Sequence, residues 1–123
     1  MKYPDDNFFI GRIRSFKFAL RGIWLLITTE HSIMIQFSIA IIMTIVGFIM
    51  QLSAIEWILQ VFAIGLVLVA ESLNTGIEKL SDFIHPDYHK RIGFIKDISA
   101  GAVTFAAIVA VIVGLIIYLP KFS

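Results

Sequence analysis

The sequence predicts an all-α membrane protein, built from an N-terminal amphipathic surface helix and three transmembrane helices. Three observations carry that prediction. Hydrophobic residues make up 59% of the 123 positions against 15% charged, and the mean hydropathy of +0.91 is far above that of an ordinary soluble domain. Three apolar runs are long enough to cross a hydrocarbon core of ~30 Å, which takes about 20 helical residues. All but one of the basic residues, Lys121, fall in two segments around these runs. Cysteine is absent, which excludes a disulfide framework and any cysteine-based metal site. The formal net charge of +1 is uninformative beside the placement of the charges.

The surface helix is expected over about residues 8–29. Phe8, Phe9, Ile13, Phe16, Leu20, Ile23, Trp24 and Ile27 recur at roughly helical intervals, with Arg12, Arg14, Lys17 and Arg21 among them. Such a helix lies along the membrane surface, with its aromatic residues at the headgroups and its basic ones toward anionic lipid or a phosphate-bearing ligand. A plain membrane anchor accounts for the same pattern.

The first span is expected over 33–52, where Gln36 is the only strongly polar side chain before the end of the run. The second begins near Ile55, stays apolar to Ala70, then keeps its helical period to about Phe83, where His85-Pro86 stops it. Its length exceeds one crossing. The third is expected over 97–119, with Asp97 as a charge facing the positive end of the helix dipole and Pro120 beyond its end. No linker, repeat or low-complexity tract interrupts the chain, so residues 1–123 are expected to form one domain. No nucleic-acid partner is expected.

Loop charges predict the orientation. Lys2, Arg12, Arg14, Lys17 and Arg21 precede the first span, and Lys79, Lys90, Arg91 and Lys96 lie around the second loop. The Gln51–Glu56 connection has no lysine or arginine, and the C-terminal tail has only Lys121. The positive-inside rule therefore places the N-terminus and second loop in the cytoplasm of a multi-pass protein of the cell membrane. No secretory signal is expected, because no short apolar core with a small-residue cleavage site precedes the first span.

Function is concentrated near the end of the second span. Glu71, Asn74, Glu78 and Asp82 are spaced three, four and four residues apart and so share one helical face. Ionisable groups at membrane depth cost roughly 2.5 kcal/mol or more apiece, so such a stripe points to a functional site, with polar glue between helices as the competing account. Counting 15 residues from Glu56, a rise of roughly 22 Å, puts Glu71 just beneath the cytoplasmic interface. The residues beyond it climb out of the lipid. That gradient suits a reaction between a lipid headgroup and a water-soluble reagent.

Glu71, in a poorly hydrated setting, is a candidate general base for a hydroxyl. Glu78 offers a hard oxygen ligand to Mg²⁺, and Glu30, at the junction of the surface helix and the first span, offers a second. Lys96 and Asp97 enter at the same level with a cation for a polyphosphate and a further carboxylate. Base, metal ligands and lysine together are the inventory of phosphoryl transfer. No Gly-rich phosphate loop, Walker lysine or protein-kinase catalytic loop accompanies them.

The run Glu71-Ser72-Leu73-Asn74-Thr75-Gly76-Ile77-Glu78-Lys79-Leu80-Ser81-Asp82, followed by Asp87-Tyr88-His89 and Lys96-Asp97-Ile98-Ser99-Ala100-Gly101-Ala102, resembles the signature of the small bacterial integral-membrane diacylglycerol kinases, a family that includes undecaprenol kinases. The resemblance extends through Ser15–Gly22 and Thr29-Glu30-His31 and so covers nearly the whole chain. It implies a homotrimer with composite sites between protomers, transferring the γ-phosphoryl of MgATP to a lipid hydroxyl. Under it Glu71 is the catalytic base, and Glu30 and Glu78 form the metal-binding pair. Asn74, Lys96 and Asp97 match active-site positions, with Asn74 and Lys96 grouped with Glu71 as catalytic. Asp87, Tyr88 and His89 match a loop near the nucleotide, and Arg14 occupies a basic position on the surface helix. Gly76 stands where the family has Ala or Ser, and Ser81 where it has an aliphatic residue; neither is a proposed catalytic group.

Diacylglycerol, giving phosphatidic acid, is the preferred acceptor and undecaprenol the alternative, since both present a primary hydroxyl near the interface. From a different class, a small oligomeric proton or ion pathway relayed by Glu71 and Asp82 also fits the stripe. The cations at Lys96 and the basic cytoplasmic surface favour the kinase. His31, His85 and His89 lack helical metal-ligand spacing and read as loop histidines. Gly101, between Ala100 and Ala102, reads as helix packing, and Trp24, Trp57 and Tyr118 as aromatic-belt anchors.

Overall fold

A computed structural model describes residues 7–123, which fold into four helices and a terminal 3-10 turn. Helix α1 spans Phe8–Thr29, α2 His31–Ile49, α3 Ala54–Ile84 and α4 Lys90–Tyr118; the 3-10 turn is Leu119–Phe122. The last three helices are each long and apolar enough to cross a membrane. Asn7 starts α1 by accepting the Ile10 amide on its side chain at 2.8 Å, a satisfied N-cap. A single extended residue, Glu30 (φ −107°, ψ 113°), separates α1 from α2.

The turn between α2 and α3 shows how sequence closes a helix. Gln51 adopts φ 55°, the Leu52 amide donates to the Gly47 carbonyl at 3.2 Å and the Gln51 amide to Phe48 at 3.3 Å. Those two bonds are the Schellman arrangement, here with glutamine in the left-handed position usually taken by glycine. Gly47 is needed for a different reason. A Cβ there would lie 2.6 Å from Cη2 of Trp57, whose ring packs over it and 4.8 Å from that of Phe48. Trp57, expected as an interface anchor, thus also fastens α3 to α2. Ser53 and Glu56 then open α3 with a reciprocal capping box.

At 31 residues, α3 is about 46 Å long and outruns a ~30 Å hydrocarbon core by several turns. Its end at Ile84, before His85-Pro86, matches the sequence expectation to one residue. The fourth helix differs from expectation. It starts at Lys90 instead of Asp97, about two turns earlier, because the His89 side chain accepts the Arg91 amide at 3.1 Å and caps it there. Asp97 is therefore inside α4 and does not face a helix N-terminus.

The described core is unusually polar. Seven apolar side chains, among them Ile33, Val67, Ala106 and Ile117, are buried beside six polar ones: Gln60, Glu71, Asn74, Thr75, Ser81 and Ser99. Large hydrophobics such as Phe48, Phe62 and Phe105 point outward instead, which suits a surface whose solvent is lipid or neighbouring apolar helices. Helix α3 packs most extensively on α4 and contacts α2, while α1 packs on α2 and buries no residue fully.

Candidate active site

The buried positions of α3 follow one another at Gln60, Ala63, Val67, Glu71, Asn74 and Thr75, so the polar stripe continues the packing face of the helix. Glu71 is only 9% exposed. Among the described residues nothing donates a hydrogen bond to its carboxylate, although its main-chain carbonyl accepts the Thr75 hydroxyl at 3.0 Å. One turn on, Asn74 is 8% exposed and its Nδ2 donates to Glu78 Oε1 at 3.1 Å. Asn74 Oδ1 is buried with no partner, the one buried side-chain polar atom so left among the described residues. Buried polar groups are normally satisfied, and exceptions gather where chemistry is done.

Two lysines draw other elements toward this stripe. Lys96 Nζ of α4 lies 2.5 Å from Asp82 Oδ1, and Lys79 Nζ of α3 lies 2.7 Å from Glu30 Oε1. Lys96 and Glu30, both predicted from sequence, are thereby brought to the end of α3 that carries Glu78. The loop Asp87-Tyr88-His89 lies at the same end, between α3 and α4. There His89 is engaged as the cap of α4, the His85 ring meets the Asp87 carbonyl at 2.7 Å, and Tyr88 is exposed. Asp97 is exposed on α4 and makes no ion pair among the described residues. Arg14 lines a depression on α1 with Ile13, Lys17 and Phe18, whose lining contains no residue of the stripe.

Beside the stripe runs an apolar groove of about 540 Å³ between α3 and α4, lined by Leu66, Ala70, Asn74, Ser99, Ala102 and Phe105 among others. Asn74 and Ser99 are its polar members. Sequence reasoning placed Ser99 only within a motif and Lys79 only within a motif and among the loop charges. Lys79 carries no local signal for its contact, since its partner lies 49 positions away across a helix junction.

Glu30, drawn to α3 by Lys79, and Glu78 are the carboxylates at this end that could hold a divalent ion. Magnesium takes one or two carboxylates, substrate phosphates and waters in preference to an all-protein cage. No group of three or more acidic or histidine ligands exists among the described residues. The Glu30 carboxylate already accepts a cation, the Lys79 ammonium, and Lys79 follows Glu78 directly in the chain. The donor set fits an ion completed by a nucleotide.

Residues 17–118 match the sequence model of the prokaryotic diacylglycerol kinases. The chain belongs to that family. It is similar to the undecaprenol kinase of Bacillus subtilis, at 40% identity over 88% of this chain and 88% of that protein. It is also similar to the diacylglycerol kinase of Escherichia coli, at 32% over 85% of this chain and 84% of that one, and to that of Synechocystis, at 33% over 86% and 61%. As a member it is a lipid kinase that takes its phosphoryl group from ATP. The matched segment contains every predicted site residue except Arg14, which precedes it.

Proposed function

We propose that this kinase phosphorylates a membrane lipid alcohol at the cytoplasmic face, with Glu71 as the base. The reading is supported by one observation: a buried glutamate whose carboxylate takes no hydrogen bond among the described residues, one turn from a buried, unpartnered amide oxygen of Asn74, which lines an apolar groove. In the step, the lipid hydroxyl oxygen attacks the γ-phosphorus of ATP. Its proton passes to Glu71, and the bond to the β–γ bridging oxygen breaks, releasing ADP. Asn74 Oδ1 is placed to accept from the headgroup and hold the hydroxyl toward Glu71. Lys96 exchanges Asp82 for the polyphosphate, adding charge where the transition state develops it. Glu30 and Glu78 would hold Mg²⁺, which when bound neutralises polyphosphate charge and orients it. Asp87, Tyr88, His89 and Asp97 are proposed as nucleotide contacts, and Arg14 as a basic contact from the surface helix.

A homotrimer is part of this proposal. Glu78 and Asp97 are exposed in the single chain and large hydrophobics cover its outside, so neighbouring copies have both apolar surface to bury and a site to complete. The acceptor is the second matter. Diacylglycerol and undecaprenol both bring a primary hydroxyl, and the higher identity to the Bacillus undecaprenol kinase favours the polyprenol. A competition assay offering both alcohols with MgATP to one preparation decides between them. Phosphorylation of neither, with potential-driven ion flux in proteoliposomes lacking ATP, sinks the kinase reading.

A further inference from the structure

Glu30 sits at the N-cap of α2, where a carboxylate usually turns back onto the first amides of its own helix. It does not do so. Its Oε1 reaches across to α3 and takes the Lys79 ammonium at 2.7 Å, with the Thr29 hydroxyl at a long 3.5 Å. The two partners differ in shelter: the Glu30 side chain is 20% exposed and that of Lys79 67%. A partly sheltered carboxylate requires a counter-charge, whereas an exposed lysine on a flexible stem gives up its partner readily. Around Lys79 lie Glu78, its chain neighbour, and Asp82, one turn on; Asp82 is already held by Lys96 and Glu78 by Asn74.

We propose that Lys79 is a placeholder cation for the metal site: its ammonium occupies Glu30 in the nucleotide-free protein, gives up that oxygen when a divalent ion arrives with nucleotide, and turns its charge to the polyphosphate. The inference rests on Glu30 and Glu78 as the metal pair. The exchange keeps the local charge balanced in both states. Without nucleotide the lysine offsets Glu30; with it, the ion offsets both carboxylates and the lysine meets phosphate oxygens. Its consequence is ordered binding, in which a bare divalent ion is disfavoured and one carried by nucleotide is admitted.

The test is Mn²⁺ binding followed by electron paramagnetic resonance on the full-length protein in detergent, without nucleotide and with a non-hydrolysable ATP analogue. Lys79→Gln should bind Mn²⁺ alone about fivefold more tightly than wild type, because a competing charge next to the ligand is gone. The same variant should raise the KM for ATP about tenfold with kcat within about twofold. Lys79→Arg, which keeps the ion pair, should resemble wild type in both. A purely structural staple predicts instead a lower unfolding temperature with Mn²⁺ affinity unmoved. Unchanged Mn²⁺ affinity or an unchanged KM for ATP in Lys79→Gln overturns the exchange. Glu78→Gln separates the two levels: if it binds Mn²⁺ with the analogue as wild type does, the metal pair itself is wrong; if it loses that binding while Lys79→Gln gains none, only the placeholder fails.

Discussion

The two ends of α3 carry similar polar side chains used in opposite ways. At the Ser53 end Ser53, Glu56 and Gln60 are all answered. Glu56 Oε1 accepts the Ser53 amide at 2.9 Å and Lys121 at 3.1 Å, while Gln60 donates to the Met43 carbonyl at 2.9 Å and accepts the Tyr118 hydroxyl at 2.5 Å. One glutamine thereby ties α2, α3 and α4 together. At the other end Glu71 and Asn74 are equally sheltered, yet the Glu71 carboxylate and Asn74 Oδ1 take no bond within the described chain. Satisfied buried polarity holds a fold together, and unsatisfied buried polarity is available to a substrate.

That contrast is open to direct attack. Glu71→Gln should lower kcat by about 10²–10⁴-fold, the range for losing a general base, with the unfolding midpoint unchanged; normal turnover would remove Glu71 from the chemistry. Asn74→Leu should lower kcat/KM by about tenfold or more while leaving stability equal or higher, because a buried unpaired oxygen disappears. A loss of stability with full activity would class Asn74 with Gln60. At the other end the signs reverse. Gln60→Leu should destabilise by about 1–3 kcal/mol in denaturant unfolding, since it strands the Tyr118 hydroxyl and removes the bond to the Met43 carbonyl, with turnover per folded enzyme within about twofold. Gly47→Ala should cost a similar ~1–3 kcal/mol by driving a methyl into the Trp57 ring, again with little change in turnover. Lys121→Met should do least, lowering the midpoint by about 2 °C or less, because Glu56 keeps its capping box.

How much of this the chain discloses depends on range along the sequence. The four helices and the stripe are legible because their signals repeat every turn: Gln60, Ala63, Val67, Glu71, Asn74 and Glu78 announce one face without reference to anything else. The start of α4 is not, because Asp97 and His89 are both acceptable helix openers and only the folded chain shows His89 holding the Arg91 amide. Trp57 and Tyr118 carry the composition of interface anchors, and composition says nothing of Gly47 beneath one or Gln60 against the other. Family resemblance points to Glu30 and Lys96, but their partners Lys79 and Asp82 are set by how helices meet. No local period records that.

The joint between α1 and α2 is a single residue, Glu30. A joint so short has no slack: one extended residue reaches only about 3.5 Å. Helices α1 and α2 therefore share a pivot, and that pivot is itself a carboxylate proposed as a metal ligand. Loops elsewhere in the chain can drift in length; here the tether and the proposed ligand are one residue.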